Sequence, residues 1–169
     1  MIAEALVLVV LPLLLALAAG WDLASFTIPN FLSIAAVALF GVFAVVAGLG
    51  WPAIGWHLMA GFTGLFVGFT LFALGYIGGG DAKLFAAVLL WLGFADLLDY
   101  TLLASIFGGV LTLGLLIARQ WPLPAMAMRH DWILRLHDSK SGIPYGVALA
   151  AGAFILLPHT EIFRLAAQA

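Results

Sequence analysis

Apolar residues run through this chain in six long blocks, at about 2–20, 31–50, 57–77, 82–97, 101–118 and 143–158, broken by short stretches rich in glycine, proline and charge. Blocks of this length and purity predict membrane-spanning helices. The expected fold class is therefore an all-α polytopic membrane protein of about six spans, a single integral-membrane domain over 1–169. The fourth block is short. Its uncharged core, Leu84 to Ala95, covers only about 18 Å as a helix, against a hydrocarbon layer of about 30 Å. Such a helix is expected to start in the interfacial zone, shielded by its neighbours. Pro12 predicts a kink in the first span. Gly61, Gly64, Gly68, Gly108, Gly109 and Gly114 predict close helix–helix contact.

The one long polar connection, "RQWPLPAMAMRHDWILRLHDSK" at 119–142, places Met128, Trp132, Ile133 and Leu136 at helical spacing among charges. That pattern predicts a short amphipathic helix lying in the headgroup layer before the last span. His130-Asp131 and His137-Asp138 stand seven residues apart, but they read as solvated polar groups rather than a metal site, as do the isolated His57 and His159. No metal and no cofactor is expected.

Composition narrows the class. The chain is 66% hydrophobic and 8% charged with a mean hydropathy of +1.23, too apolar for water and suited to a lipid bilayer. A net charge of -2 and the lack of a basic face argue against nucleic acid. With no cysteine, disulfides and thiolate chemistry are excluded. The opening "MIAEALVLVVLPLLLALAAG" ends like a signal-peptide cleavage site, yet its only early charge is Glu4. It reads as a retained first span.

Loop charge sets an expected orientation. Alternating six spans puts Lys83, Arg119, Arg129, Arg135 and Lys140 on one face and leaves Arg164, Asp96 and Asp99 on the other. The positive-inside rule makes the first face cytoplasmic, with both termini outside. Asp22, in "GWDLASFTIPN", and Asp81, in "GGGDAKL", then share the cytoplasmic side.

Acids at span edges are expensive and point to function. Each has a structural alternative: Asp22 can cap a turn ahead of Ser25, and Asp81 can cap the fourth helix. As a pair they suit peptide hydrolysis. Two carboxyls sharing one proton let one activate water while the other hydrogen-bonds the developing oxyanion. There is no cysteine and no GxSxG stretch to offer a competing nucleophile. The neighbouring glycines are expected to permit positive φ and close backbone approach, forming a strip that accepts an extended substrate.

These residues resemble a known family. Gly78, Gly80 and Asp81 match the GxGD signature of intramembrane aspartyl proteases. Lys83, two residues on, is similar to the bacterial type IV prepilin peptidases. So is Asp22 preceding Ile28-Pro29-Asn30, and so are Pro144, Tyr145 and Gly146 opening the last span. The resemblance implies a multi-pass inner-membrane peptidase that removes the leader from a pilin-like precursor at the cytoplasmic face, without metal. It implies Asp22 and Asp81 as the catalytic pair. Gly78, Gly79, Gly80, Lys83, Pro144 and Tyr145 become candidates for the active-site loop or substrate contacts. Larger relatives carry an N-terminal region, often with CxxC motifs, linked to N-methylation. This chain opens on its first span, so methyltransferase activity is not expected, and its size is similar to the prepilin peptidases of Flp/Tad-type pilus systems or archaeal preflagellin-processing relatives. It departs from the family in lacking an arginine or lysine before the "IPN".

Two other classes compete. A small transporter or channel would carry ionisable groups near mid-span and show internal repeats, whereas here the charges collect at span ends. A non-enzymatic pilus-assembly scaffold would use the two acids only as caps.

Overall fold

The computed structural model describes residues 1–168. Among them every regular element is helical. Helix α1 covers Ile2–Ser25, α2 Asn30–Val46, α3 Trp51–Ala73, α4 Gly79–Leu92 and α5 Leu97–Ala118. The amphipathic α6 spans Asp131–His137, after a single 3-10 turn at Ala127–Arg129. Helix α7 is Tyr145–Leu156, and α8 is Glu161–Gln168.

By length and apolarity, α1, α3 and α5 can each cross a membrane, and α7 with α8, bent by 56°, forms a fourth candidate span. The expected count of about six is thus not reached on length: α2, α4 and α7 are apolar but short. The shielding expected for α4 is met by its surroundings, since Leu84 to Leu92 is almost continuously buried. A helix apolar on all sides belongs in the middle of a bundle. Helices α2, α3 and α7 surround it, while α7 also packs on α1 and α5. The bundle is therefore two groups, α2–α3–α4 and α1–α5–α7, joined where α4 meets α7.

Several boundaries differ from the hydrophobic blocks, each for a local reason. Helix α1 continues five residues past its block to Ser25 and stops where Phe26 turns left-handed at φ 56°. Pro12 does not interrupt the helix: a π turn at Leu6–Val10 lies just before it, and the helix runs on to Ser25. Helix α3 starts six residues early because Pro52 suits a first turn, and Gly93, at φ 85°, ends α4 before the predicted 97.

The glycine stripe on α3 does what its spacing predicts. A Cβ on Gly64 would meet Leu89 at 2.7 Å, and one on Gly68 would meet the Ala82 backbone at 3.0 Å, so α3 and α4 touch nearly backbone to backbone. On α5 only Gly108 is in contact, against Tyr145; Gly109 and Gly114 face open space. Hydrogen bonds across the bundle hold the register: Trp91 Nε1 donates to Ala36 O at 2.8 Å and Tyr100 Oη to Leu149 O at 3.2 Å. His57 is not the solvated residue its isolation suggested. It is buried, with Nδ1 3.0 Å from Leu90 O and its ring against Gly93, which leaves no room for a side chain there.

Candidate active site

Three segments meet at the junction of the two groups. Asp22 lies in the last turn of α1, one helical turn before the Phe26 stop, and is only 4% exposed. It caps nothing with its side chain. Instead the backbone N–H of Gly146, at the start of α7, donates to Asp22 Oδ2 at 2.7 Å. Gly146 has to be a glycine. A Cβ there would stand 2.9 Å from Asp22 Oδ2 and 2.8 Å from Ile28 Cδ1.

Asp81 occupies the first turn of α4 and is 7% exposed. Its Oδ2 accepts the Gly78 N–H at 2.9 Å, the capping role open to an acid at this position. Its Oδ1 is buried with no hydrogen-bond partner. Leaving a buried carboxylate oxygen unpaired is costly. The two acids are brought to the same junction, because Ile28 packs against both Gly146, which holds Asp22, and Gly80, which precedes Asp81.

Ile28 locks the motifs together. It is buried between Gly80, where a Cβ would stand 3.0 Å from its own Cβ, and Gly146 on the other side. The "IPN", "GGGD" and "PYG" stretches therefore touch through one isoleucine. Close approach explains Gly80, but positive φ does not enter: the left-handed glycines are Gly48, Gly75 and Gly93, and Gly78 sits at φ −73°. Gly79 and Gly80 belong to the first turn of α4 and Gly79 packs near Phe72, so the strip expected to pair with an extended substrate is itself helical.

The remaining candidates divide. Pro144 is buried at the entrance to α7, and Tyr145 lines a cavity of about 480 Å³ together with Asp81. Lys83 points elsewhere. It is exposed, donates to Asn30 Oδ1 at 2.9 Å, and lines a separate cavity of about 620 Å³ between α2, α3 and α4. It ties the "GGGDAKL" turn to the "IPN" turn rather than facing Asp81. The 119–142 connection folds over the same end of the bundle: Arg135 donates to Ala24 O at 2.9 Å, and Arg119 to Leu136 O and Gly142 O. No group of three or more histidines and acids with metal-site geometry stands among the described residues.

Sequence reasoning passed over two residues as contributors, Gly146 and Ile28. Each sits inside a motif it had already singled out, but an amide aimed at an acid 124 positions away leaves no mark on composition or spacing.

The sequence model of the type IV leader peptidase family matches residues 9–113, more than half of the chain. No curated protein and no solved structure matches it.

Proposed function

The chain belongs to the type IV leader peptidase family, and on that premise we propose that it is an aspartic-type endopeptidase with Asp22 and Asp81 as its catalytic pair. Its substrate is a type IV pilin-like precursor of the Flp type, whose leader it cuts at the cytoplasmic face of the inner membrane. The observation that carries this reading is that two buried acids, from α1 and α4, meet at one junction, where Gly146 N–H holds Asp22 and Ile28 is wedged between Gly146 and Gly80, the neighbour of Asp81.

Each acid is held by one oxygen. Gly146 N–H fixes Asp22 Oδ2 and Gly78 N–H fixes Asp81 Oδ2, which leaves Asp81 Oδ1 unspent. Water bound between the carboxyls loses a proton to the ionised member as it attacks the scissile carbonyl. The protonated member hydrogen-bonds the oxyanion, and a proton then reaches the leaving amine. The pair titrates as a unit, so neither role belongs to one residue. The cytoplasmic assignment is supported by the basic residues Lys83, Arg119 and Arg135, whose contacts gather at the same end of the bundle as the two acids.

A scaffold reading draws on the Gly78–Asp81 cap, which is what a purely structural acid would make. Co-expression with an Flp-type precursor, scored by the gel shift on leader loss, separates the two. Asp22→Asn and Asp81→Asn should each abolish the shift while the protein stays folded; persistence of the shift in either variant refutes the catalytic pair.

A further inference from the structure

The cavity that holds Asp81 is also a gap in the bundle. Helix α3 packs on α4, and α5 packs on α7, but α3 and α5 do not pack closely on each other. The space of about 480 Å³ between them is lined by Asp81 and Tyr145 and extends along α5 from Thr112 to Thr101. Twelve residues of helix make that wall roughly 16 Å long, about half the hydrocarbon thickness. The surrounding faces of α3 and α5 are apolar and exposed, as at Phe66, Phe69, Val110 and Leu113, so the gap opens to lipid.

The α5 wall is built from small residues whose polar groups are already used. Thr101 donates to Leu97 O, Ser105 to Thr101 O and Thr112 to Gly108 O, each at 2.7 Å. Each hydroxyl has spent its proton and can only accept, so along this wall selection is mainly by shape. Gly109 faces the gap with nothing within 4 Å of a Cβ built on it. Asp81, whose Oδ1 has no hydrogen-bond partner, lines this same apolar slot.

Resting on the peptidase reading above, we propose that the α3–α5 gap is a lateral entrance for the apolar segment that follows the scissile bond in a membrane-inserted precursor. Gly109 sets the side-chain bulk this segment can carry. The leader, being polar, stays at the loop end beside Asp22. The apolar stretch beyond the bond lies along α5, and the scissile carbonyl meets Asp81 Oδ1 where the two regions join.

The test compares wild type, Gly109→Leu and, as a control on the same helix outside the gap, Gly114→Leu, all in liposomes with a leader-bearing pilin-type precursor. A second precursor has the bulky apolar residues of the first turn after the scissile bond shortened to alanine. Gly109→Leu should lower kcat/KM on the bulky precursor by about tenfold or more and recover to within about threefold of wild type on the shortened one. Gly114→Leu should match wild type on both. Equal cleavage of the bulky precursor by Gly109→Leu, or an equal deficit on both precursors, overturns the proposal while leaving the peptidase reading intact. Wild type that cleaves neither precursor overturns both.

A second measurement holds should Gly109→Leu fold poorly. The chain has no cysteine, so Gly109→Cys and Gly114→Cys are single thiols. In an Asp81→Asn background, bound precursor should slow maleimide labelling at 109 and not at 114. Equal rates at 109 with and without precursor refute the entrance.

Discussion

The Gly146 amide donates a 2.7 Å hydrogen bond to the Asp22 carboxylate, and that contact joins the start of α7 to the end of α1 at the seam of the bundle. It also fixes Asp22 relative to Asp81, because Ile28 is wedged against both Gly146 and Gly80.

Gly146→Ala therefore tests positioning without touching either acid. The new methyl would overlap Ile28 Cδ1 and Asp22 Oδ2, both under 3.0 Å away. Overpacking of this kind costs about 1–3 kcal/mol. Leader cleavage should fall at least about tenfold, and a thermal melt in detergent should show a lower Tm. Unchanged cleavage would mean that the amide–carboxylate contact is incidental.

For the acids themselves, the two asparagine variants should lower cleavage by about a thousandfold or more. Asp81→Asn keeps an oxygen for the Gly78 N–H, so its Tm should stay near wild type. The pH profile of wild-type cleavage should be bell-shaped, since one carboxyl must hold a proton and the other must lack it. A profile that only rises with pH would contradict a shared proton.

The glycines of α3 and α2 should respond in opposite ways. Gly68→Ala drives a methyl to within 3.0 Å of the Ala82 backbone, which cannot yield as a side-chain tip would, and should destabilise by about 1–3 kcal/mol. Gly41 lies mid-helix in α2 with open space around it. Gly41→Ala should be neutral or stabilising by up to about 1 kcal/mol. Thermal melts of the two variants side by side check the contrast.

At the opposite end, Asp96 stands just before α5 and is held above its ordinary value of 3.8, first by burial and then by the neighbouring charge of Asp99. The folded state binds that proton more tightly than the unfolded chain does, so this group erodes stability as pH rises above about 4. Asp96→Asn should raise Tm near neutral pH and change it little in acid. A Tm gain that is the same at both pH values would exclude Asp96 ionisation as its cause.

Much of this protein is legible in its residues because bilayer physics acts locally. Apolar run length marks the helices, and the gly-xxx-gly spacing of Gly64 and Gly68 marks the face that packs, since both depend on neighbours within a few turns. Helix ends were less legible. Pro12 lies within a continuous helix just after a π turn, and Gly93 rather than the end of hydrophobicity stopped α4, because termini depend on backbone conformations that hydropathy does not encode.

The site divides along the same line. Asp22, Asp81 and the three motifs stand out in the sequence because charge and glycine are conspicuous in an apolar chain. Folding alone settled that Ile28 joins them, that Gly146 holds Asp22, and that Lys83 faces the other way. Likewise, residues on α5 read as a packing stripe, yet Gly109 borders an open gap. Those outcomes turn on which helices sit side by side and at what depth. Contacts between residues more than a hundred positions apart are set by the packing of whole helices, and no local pattern of residues contains that information.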